Sequence, residues 1–207
     1  MAITATTELK TEYGLFKVNY HRTGHHKCVT FVFGDIQNTI PIVRIHSACL
    51  FGEAFHSLHC DCRFQLQTTM SHIINHGSGV IAYAFDEGRG IGLEKKIMAM
   101  NIQQKQHCDT VEAFKRIGLD YPDYRTYQAE ITALIDLKLN PSIYLVTGNP
   151  NKVIAIQKAG FIIKSLIHLN SNNLSKEAKA EKQVKIEKLG YDYPKEKSPK
   201  REPFNFF

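Results

Sequence analysis

Stretches rich in β-branched and aromatic residues alternate along the chain with stretches whose apolar residues recur every three or four positions. The first pattern predicts strands and the second predicts amphipathic helices. The predicted strands are residues 12–21, 28–34, 39–47, 79–85, 142–148 and 161–167. The predicted helices are residues 63–76, 93–105, about 109–118, 128–139 and a segment through Val153 and Ile156 to Gly160.

The order of these elements indicates the fold class. The runs at 79–85 and 142–148 are apolar at nearly every position, which is typical of strands covered on both faces. The three opening strands follow one another through polar turns and are expected to be antiparallel. The pattern therefore predicts a single α/β domain, a three-layer α/β/α arrangement with a mixed sheet.

The composition changes near residue 170. Residues 170–190 favour an amphipathic helix, and the lysine- and proline-rich residues after them favour an irregular tail. Residues 171–207 hold nine Lys and Arg against six Asp and Glu, half of the net charge of +6. We predict a main domain over residues 1–169 and a basic C-terminal helix and tail over 170–207. Basic tails are usually solvated segments, so nucleic acid is not the expected partner.

Length and composition limit the class of protein. A chain of 207 residues can bury one substantial core, and no apolar run approaches the roughly 20 residues of a membrane helix. The first residues lack the basic start and apolar core of a secretion signal, and five cysteines cannot all pair. We expect a cytoplasmic protein without a membrane partner.

Three of the five cysteines lie within fourteen residues, at Cys49, Cys60 and Cys62. Thiolates bind Zn²⁺ tightly, and three protein ligands leave a fourth tetrahedral position open, as in catalytic sites. Small buried hydrophobic residues or a disulfide are the alternative interpretation. Nearby histidines are candidates for a fourth ligand: His46, His56 and His59.

The segment DEGRGIGL follows a predicted strand and leads into a predicted helix, where free backbone amides favour anions. Gly88, Gly90 and Gly92 would let the backbone approach a ligand, and Arg89 would offer a planar fork for phosphate oxygens. The GxGxxG dinucleotide pattern is absent, so a simple tight turn is the alternative.

Five blocks occur in order between about residues 28 and 167: RIHSACLFGEAFHSLHCDCRFQLQ, DEGRGIGLEKKI, DTVEAFKRIGL, DYR and TGNPNK. Together they resemble GTP cyclohydrolase II of riboflavin biosynthesis. The resemblance implies an enzyme, usually a homodimer, that uses Zn²⁺ and Mg²⁺. Such an enzyme releases pyrophosphate from GTP and opens the imidazole ring at C8, freeing formate. The main domain would then be the catalytic one.

The resemblance also implies roles for individual residues. The zinc ligands would be Cys49, Cys60 and Cys62, and a water activated by the ion would attack C8. Asp123 and Arg125 would be proton acceptor and nucleophile towards the α-phosphate. The substrate contacts, with Mg²⁺ sharing the charge of the triphosphate, would be Arg44, His46, Ser47, Gln65, Glu87, Gly88, Arg89, Thr110, Thr147 and Lys152.

Five positions depart from the family pattern: Ala48, Asp86, Met100, Phe114 and Gly148. Met100 takes the place of a tyrosine assigned to the ring-opening chemistry, and a thioether cannot replace a phenol as a proton donor. We hypothesise that the reaction stops at an N-formyl pyrimidine. Packing on an apolar helix stripe is the alternative explanation of Met100. Ala48 and Phe114 remove polar groups, which could relax selection of guanine.

Three hypotheses about the function therefore stay open. The first is a zinc-dependent hydrolase of the GTP cyclohydrolase II type that acts on a small-molecule nucleotide. The second is a diverged paralogue that acts on another purine nucleotide or base. The third is a non-catalytic nucleotide-binding protein, although such a protein would have no use for a zinc-bound water or a nucleophile in a loop.

Overall fold

The computed structural model describes residues 2–171 and 173–193, and its strands form one seven-stranded sheet. The strands are β1 (Ala2–Lys10), β2 (Leu15–Thr23), β3 (His26–Phe33), β4 (Ile42–Ser47), β5 (Gly79–Ala84), β6 (Ser142–Val146) and β7 (Ile162–Ile167). The helices are α1 (Leu50–Glu53), α2 (Cys62–His76), α3 (Gly92–Gln106), α4 (Thr110–Arg116), α5 (Gln128–Asp136), α6 (Pro150–Lys158) and α7 (Lys176–Leu189). A 3-10 turn, Glu87–Gly90, separates β5 from α3.

The sheet is mixed, as predicted. Its strand order is β1-β2-β3-β5-β4-β6-β7. The first three strands pair antiparallel, and β3 pairs antiparallel with β5. From β5 across β4 and β6 to β7 the pairing is parallel. The antiparallel opening and the α/β second half are thus both confirmed.

Helices cover both faces of the sheet. On one face α2 packs through Ile73 against Phe16 and Ile81. On the other face α5 and α6 pack through Leu134 and Ile156. These apolar side chains are fully buried, so each helix is held by its hydrophobic stripe. The result is the predicted three-layer α/β/α arrangement.

Several predicted boundaries move because of turns. Strand β1 was not predicted, since AITATTELK is small and polar and every residue in it is exposed. It forms a strand by antiparallel pairing with β2. The predicted strand 12–21 begins only at Leu15, because Thr11 and Gly14 close a turn with a 2.9 Å backbone hydrogen bond. The strand predicted from residue 39 begins at Ile42, after Pro41.

The carboxyl ends of β4, β5 and β6 meet at one edge of the sheet, the usual place for ligands in open α/β folds. Helices α3 and α4 pack together beside this edge through Ala99, Ala113 and Phe114. The last helix, α7, contacts α4. Among the described residues, no helix is both long enough and apolar enough to cross a membrane.

A helix forms in the segment after Asn170, where an amphipathic helix was expected. The predicted irregular tail beyond residue 193 lies outside the described residues. The division of the chain at residues 169 and 170 stays a prediction.

Candidate functional site

A cavity of about 370 Å³ opens at the carboxyl edge of the sheet, between α3, α4 and α7. Fourteen of the fifteen predicted site residues line it, and the remaining one, Asp123, binds the lining residue Arg125. The fourteen are Arg44, His46, Ser47, Cys49, Cys60, Cys62, Gln65, Glu87, Gly88, Arg89, Thr110, Arg125, Thr147 and Lys152. All five departures from the family pattern line the same cavity. The structure thus brings together residues that are more than 100 positions apart.

Three sulfurs form one corner of the cavity. Cys49 precedes α1 and Cys62 opens α2, so two helix ends position them. The sulfurs of Cys49, Cys60 and Cys62 all lie within 4.8 Å of one another, and the Cys49 and Cys60 sulfurs are 3.6 Å apart. A tetrahedral ion with Zn–S bonds of about 2.3 Å separates its sulfurs by about 3.8 Å. The arrangement therefore fits a zinc ion.

Gly52 makes room for this sulfur cluster. A Cβ added at this position would lie 2.6 Å from the Cys60 sulfur and 3.2 Å from the Cys49 sulfur. Within residues 2–171 and 173–193, no other His, Cys, Asp or Glu ligand atoms cluster in this way. None of the candidate histidines, His46, His56 and His59, has a ring nitrogen in this cluster. His46 binds Glu53 instead, and His59 Nδ1 lies 3.3 Å from the Ser57 hydroxyl.

The three thiols affect one another's ionisation. Hydrogen bonds from Cys60 and Cys62 lower the pKa of Cys49, while the same contact with Cys49 raises the pKa of Cys60 to about 11 and that of Cys62 well above its ordinary value. The Lys96 ammonium adds a positive charge 3.3 Å from the Cys49 sulfur. A divalent cation would favour all three thiolates.

A hydrogen-bonded chain runs along the floor of the cavity from β4. The Arg44 guanidinium donates to His46 Nδ1 at 3.0 Å and to the Gln65 side-chain oxygen. Because Nδ1 accepts, the opposite nitrogen of His46 carries the proton and donates to Glu53 at 2.8 Å. Burial lowers the pKa of His46 to about 4, so the ring is neutral near pH 7. Tyr83 donates to the other oxygen of Glu53 at 2.8 Å.

Glu53 was not predicted as a site residue. Its carboxylate also accepts the backbone amide of Cys49 at 3.0 Å, so it links the Arg44 chain to the sulfur corner. Its position in the first turn of α1, four residues after Cys49, is the sequence signal that could have identified it.

The DEGRGIGL segment does not open α3 directly. Gly88 and Arg89 both adopt left-handed backbone angles, with φ of 62° and 59°, which produces a tight 3-10 turn before the helix. Glu87 is anchored by the Leu50 amide at 2.7 Å and by Lys96 at 2.6 Å. The Arg89 guanidinium lies over the Phe114 ring and forms an ion pair with Glu181 of α7.

Asp123 and Arg125 form a closed pair on the opposite wall. Two side-chain hydrogen bonds, of 2.9 and 2.6 Å, join the guanidinium to the carboxylate. Burial disfavours both charges, but these bonds outweigh it, so the pKa of Asp123 is lowered and the pKa of Arg125 is raised. The guanidinium also donates to the Ser47 hydroxyl at 3.3 Å and to the Tyr191 hydroxyl at 3.1 Å, and it lies over the Tyr127 ring.

The first turn of α6 supplies a buried lysine, Lys152. The Lys152 ammonium donates to the Ile45 carbonyl at 2.8 Å. Burial and the nearby Arg125 and Arg44 lower the pKa of Lys152. Asn149 caps α6 and lies next to Thr147, whose hydroxyl accepts its amide at 3.0 Å. This wall of the cavity is therefore rich in donors and suits an anion.

The comparisons with known proteins agree with this site. Residues 2–168 match the family model described as GTP cyclohydrolase II. The chain belongs to the GTP cyclohydrolase II family. It is accordingly an enzyme of the hydrolase class, as the sequence blocks predicted.

Curated members of the GTP cyclohydrolase II family are similar over most of the chain. GTP cyclohydrolase-2 of Histophilus somni (strain 2336) is 42% identical over 173 residues, covering 81% of this chain and 78% of that protein. GTP cyclohydrolase-2 of Haemophilus influenzae (strain PittEE) is 41% identical over 174 residues, with the same two coverages of 81% and 78%. GTP cyclohydrolase-2 of Tolumonas auensis is 40% identical over 175 residues, covering 82% and 86%.

Among solved structures, RibBX of A. baumannii, a two-domain 3,4-dihydroxy-2-butanone 4-phosphate synthase, aligns with 83% of this chain and 40% of its own. The identity is 12% and the TM-score 0.39, which is too low to support an argument.

Proposed function

We propose that this chain is a zinc-dependent GTP cyclohydrolase that opens the imidazole ring of GTP at C8 and releases pyrophosphate. The observation that carries the proposal is the shared cavity, in which three clustered sulfurs face a wall of buried cationic side chains. A site that joins a metal corner to an anion-binding wall suits a phosphorylated substrate whose reacting carbon must meet an activated water.

The sulfur corner would hold the metal. A zinc ion bound by Cys49, Cys60 and Cys62 would supply Lewis-acid activation of water near neutral pH. Lys96 would neutralise part of the charge of three thiolates, because its ammonium already lies 3.3 Å from the Cys49 sulfur. Glu53 would hold the Cys49 backbone in place.

The polar walls would hold the nucleotide. Arg89, Arg125 and Lys152 carry the positive charge that a triphosphate requires, with Mg²⁺ sharing the load. The other proposed contacts with substrate are Arg44, His46, Ser47, Gln65, Glu87, Gly88, Thr110 and Thr147. For Arg89 to bind phosphate it must exchange its ion pair with Glu181 for the ligand.

Asp123 and Arg125 would act at the α-phosphate. A guanidinium is protonated in water and is a poor nucleophile. The bidentate contact places a carboxylate oxygen 2.9 Å from Arg125 Nε and another 2.6 Å from Nη2, so Asp123 could accept the proton that attack by Arg125 releases. The bond that breaks joins the α- and β-phosphates, and pyrophosphate leaves.

The product is the second part of the proposal. Complete processing needs two hydrolytic events, opening at C8 and loss of formate from the resulting formamide. Met100 lines the cavity where the family pattern has a tyrosine, and its thioether cannot donate a proton. We infer that the reaction stops at the N-formyl pyrimidine.

Incubation of zinc-loaded protein with GTP and Mg²⁺, followed by mass analysis of the products, tests both parts. An N-formyl pyrimidine with pyrophosphate is expected. A deformylated diaminopyrimidine with stoichiometric formate would refute the arrested product but keep the cyclohydrolase. If the N-formyl pyrimidine accumulates, the Met100→Tyr variant shows whether Met100 causes the arrest, since it is then expected to release more formate than the wild-type protein.

A second candidate is hydrolysis of a related purine nucleotide. Ala48 and Phe114 line the cavity in place of a carboxylate and an amide, and the Phe114 ring packs beneath Arg89. Selection of a base depends on matched polar groups. Binding of the four common nucleoside triphosphates and of xanthosine triphosphate decides between the candidates: tighter binding of another base would displace GTP as the substrate. A homodimer in the cytoplasm is our expectation for either enzyme.

A further inference from the structure

The chain after α7 returns to the cavity, beyond the residues that the family model matches. Tyr191, Asp192 and Tyr193 follow the helix, and both tyrosines line the cavity. Helix α7 itself is tied to the site by the Arg89–Glu181 ion pair and by a contact from Lys188 to Asp109. We call residues 191–193 the C-terminal strap.

Gly148 allows the strap to lie this close. The Asp192 amide donates to the Gly148 carbonyl at 2.8 Å, and His168 Nδ1 lies 3.0 Å from the Asp192 carbonyl oxygen. A Cβ added at residue 148 would collide with the Asp192 carbonyl oxygen and lie 3.2 Å from the Tyr193 ring. Residue 148 is one of the five departures from the family pattern, and glycine at this position leaves the space that the strap occupies.

The Tyr191 hydroxyl receives two hydrogen bonds. Arg125 Nη2 donates to it at 3.1 Å, and a guanidinium has no acceptor. Asn149 Nδ2 donates to it at 2.8 Å. The orientation of the Asn149 amide is fixed, because its oxygen caps α6 by accepting the Asn151 amide at 2.9 Å.

Arg125 and Asn149 both donate to the Tyr191 hydroxyl, so neither of them accepts its proton. Within residues 2–171 and 173–193 no group accepts it. A phenol that lines a cavity next to Arg125 and holds an unused donor is suited to an anionic acceptor in that cavity.

We propose that Tyr191 contacts the substrate, its hydroxyl donating a hydrogen bond to a phosphate oxygen of the nucleotide held beside Arg125. This inference rests on the proposed function, since it takes a nucleoside triphosphate as the ligand. The C-terminal strap then completes the phosphate half of the site, and the hydroxyl also keeps Arg125 in position.

The Tyr191→Phe variant tests the proposal, because it removes the hydroxyl and keeps the ring. Inorganic triphosphate occupies only the phosphate part of the site and guanosine only the nucleoside part. Inhibition of GTP turnover by each therefore measures the two parts separately. We expect the inhibition constant of inorganic triphosphate to rise at least about tenfold, as befits a hydrogen bond to a charged group, and that of guanosine to stay unchanged. The kcat/KM for GTP should fall by a similar factor.

Tyr144→Phe is the matched control, since Tyr144 lies on β6 outside the cavity lining, and it should leave all three values unchanged. An unaltered triphosphate constant in Tyr191→Phe overturns the proposal. So does an equal weakening of guanosine, which would indicate a general loss of site structure. Wild-type protein that neither binds nor hydrolyses GTP would instead refute the proposed function itself.

Discussion

At the scale of single residues, the site combines a histidine that burial keeps neutral with an arginine that its carboxylate partner keeps charged. His46 is kept neutral so that it can accept from Arg44 and donate to Glu53. Arg125 is kept charged by Asp123 despite its burial. The neutral histidine follows from burial, which outweighs its hydrogen bond to Glu53, and the charged arginine follows from its hydrogen bonds to Asp123, which outweigh burial. The chemistry of the cavity thus depends on contacts that the fold sets before any ligand arrives.

The sulfur cluster yields the first prediction at this scale. Cys60→Ser removes one thiolate, so bound zinc should drop from about one per chain to near zero, and turnover of GTP should fall at least about 100-fold. Metal analysis of the purified protein, together with the turnover assay, measures both. Cys108→Ser is the control, since Cys108 lies outside the sulfur cluster, and it should retain its zinc. A Cys60→Ser protein that still binds about one zinc per chain would rule out the three-thiolate centre.

Glu130 yields a prediction about stability. It is fully buried, neither of its carboxylate oxygens has a hydrogen-bond partner among the described residues, and burial raises its pKa to about 7. A raised native pKa means that its contribution to stability is complete below the unfolded value near 4.5 and is lost as the pH rises through about 7. Glu130→Gln removes this loss, so it should stabilise the protein by up to about 3 kcal/mol at pH 8 and by little at pH 4.5.

Urea unfolding at the two pH values measures the difference. Glu94→Gln, at an exposed position of α3, is the matched control and should change the free energy of unfolding equally at both pH values. An equal effect of Glu130→Gln at pH 4.5 and pH 8 would contradict the raised pKa.

At the scale of elements, the strap after α7 depends on one glycine. Gly148→Ala introduces a Cβ that would collide with the Asp192 carbonyl oxygen, so the strap must shift and carry Tyr191 away from Arg125. Displacement of a positioning group by about 1 Å can reduce turnover substantially, and we expect a loss of about tenfold. Hydrogen exchange at residues 190–193 should rise in this variant.

A matched change elsewhere separates this effect from a general loss of stability. A Cβ added at Gly118 would meet no atom within 4 Å, so Gly118→Ala does not touch the strap. The positive φ of 80° at this position makes the substitution destabilising. It should lower the melting temperature but leave exchange at the strap unchanged. Unaltered exchange in Gly148→Ala would show that the strap does not depend on this glycine.

The elements also show which features a sequence can predict. Alternation and helical periodicity located six of the seven strands, because those strands bury apolar side chains. Strand β1 buries none, so only its pairing partner defines it. The cysteine spacing indicated the sulfur corner, and the ordered blocks brought the cationic residues into the prediction. Glu181 of α7 and Tyr191 of the strap were missed, because their partners Arg89 and Asn149 lie 92 and 42 positions earlier in the chain and no local pattern links them.

At the scale of the whole molecule, the chain has a positive net charge, and several of its cationic side chains line the cavity. The chain carries a formal net charge of +6. Among the described residues that line the cavity, six are Lys or Arg and five are Asp or Glu, and Arg44, Arg125 and Lys152 lie close together on one wall. A group of like charges on one wall of a cleft focuses the field there and raises the local concentration of an oppositely charged ligand. The cavity and the overall charge thus act together on an anionic substrate.

The last prediction concerns this field. Salt screens charges over about 10 Å at 0.1 M and about 3 Å at 1 M, so raising the sodium chloride concentration from 0.05 to 0.5 M should weaken binding of a nonhydrolysable GTP analogue at least about tenfold. Guanosine carries no charge, and its affinity should change little over the same range. Calorimetric titration of both ligands gives the two dissociation constants. If both dissociation constants rise by the same factor, salt acts on the protein as a whole. If neither changes, the cationic wall does not bind the phosphates, and the triphosphate would have to be held by neutral donors alone.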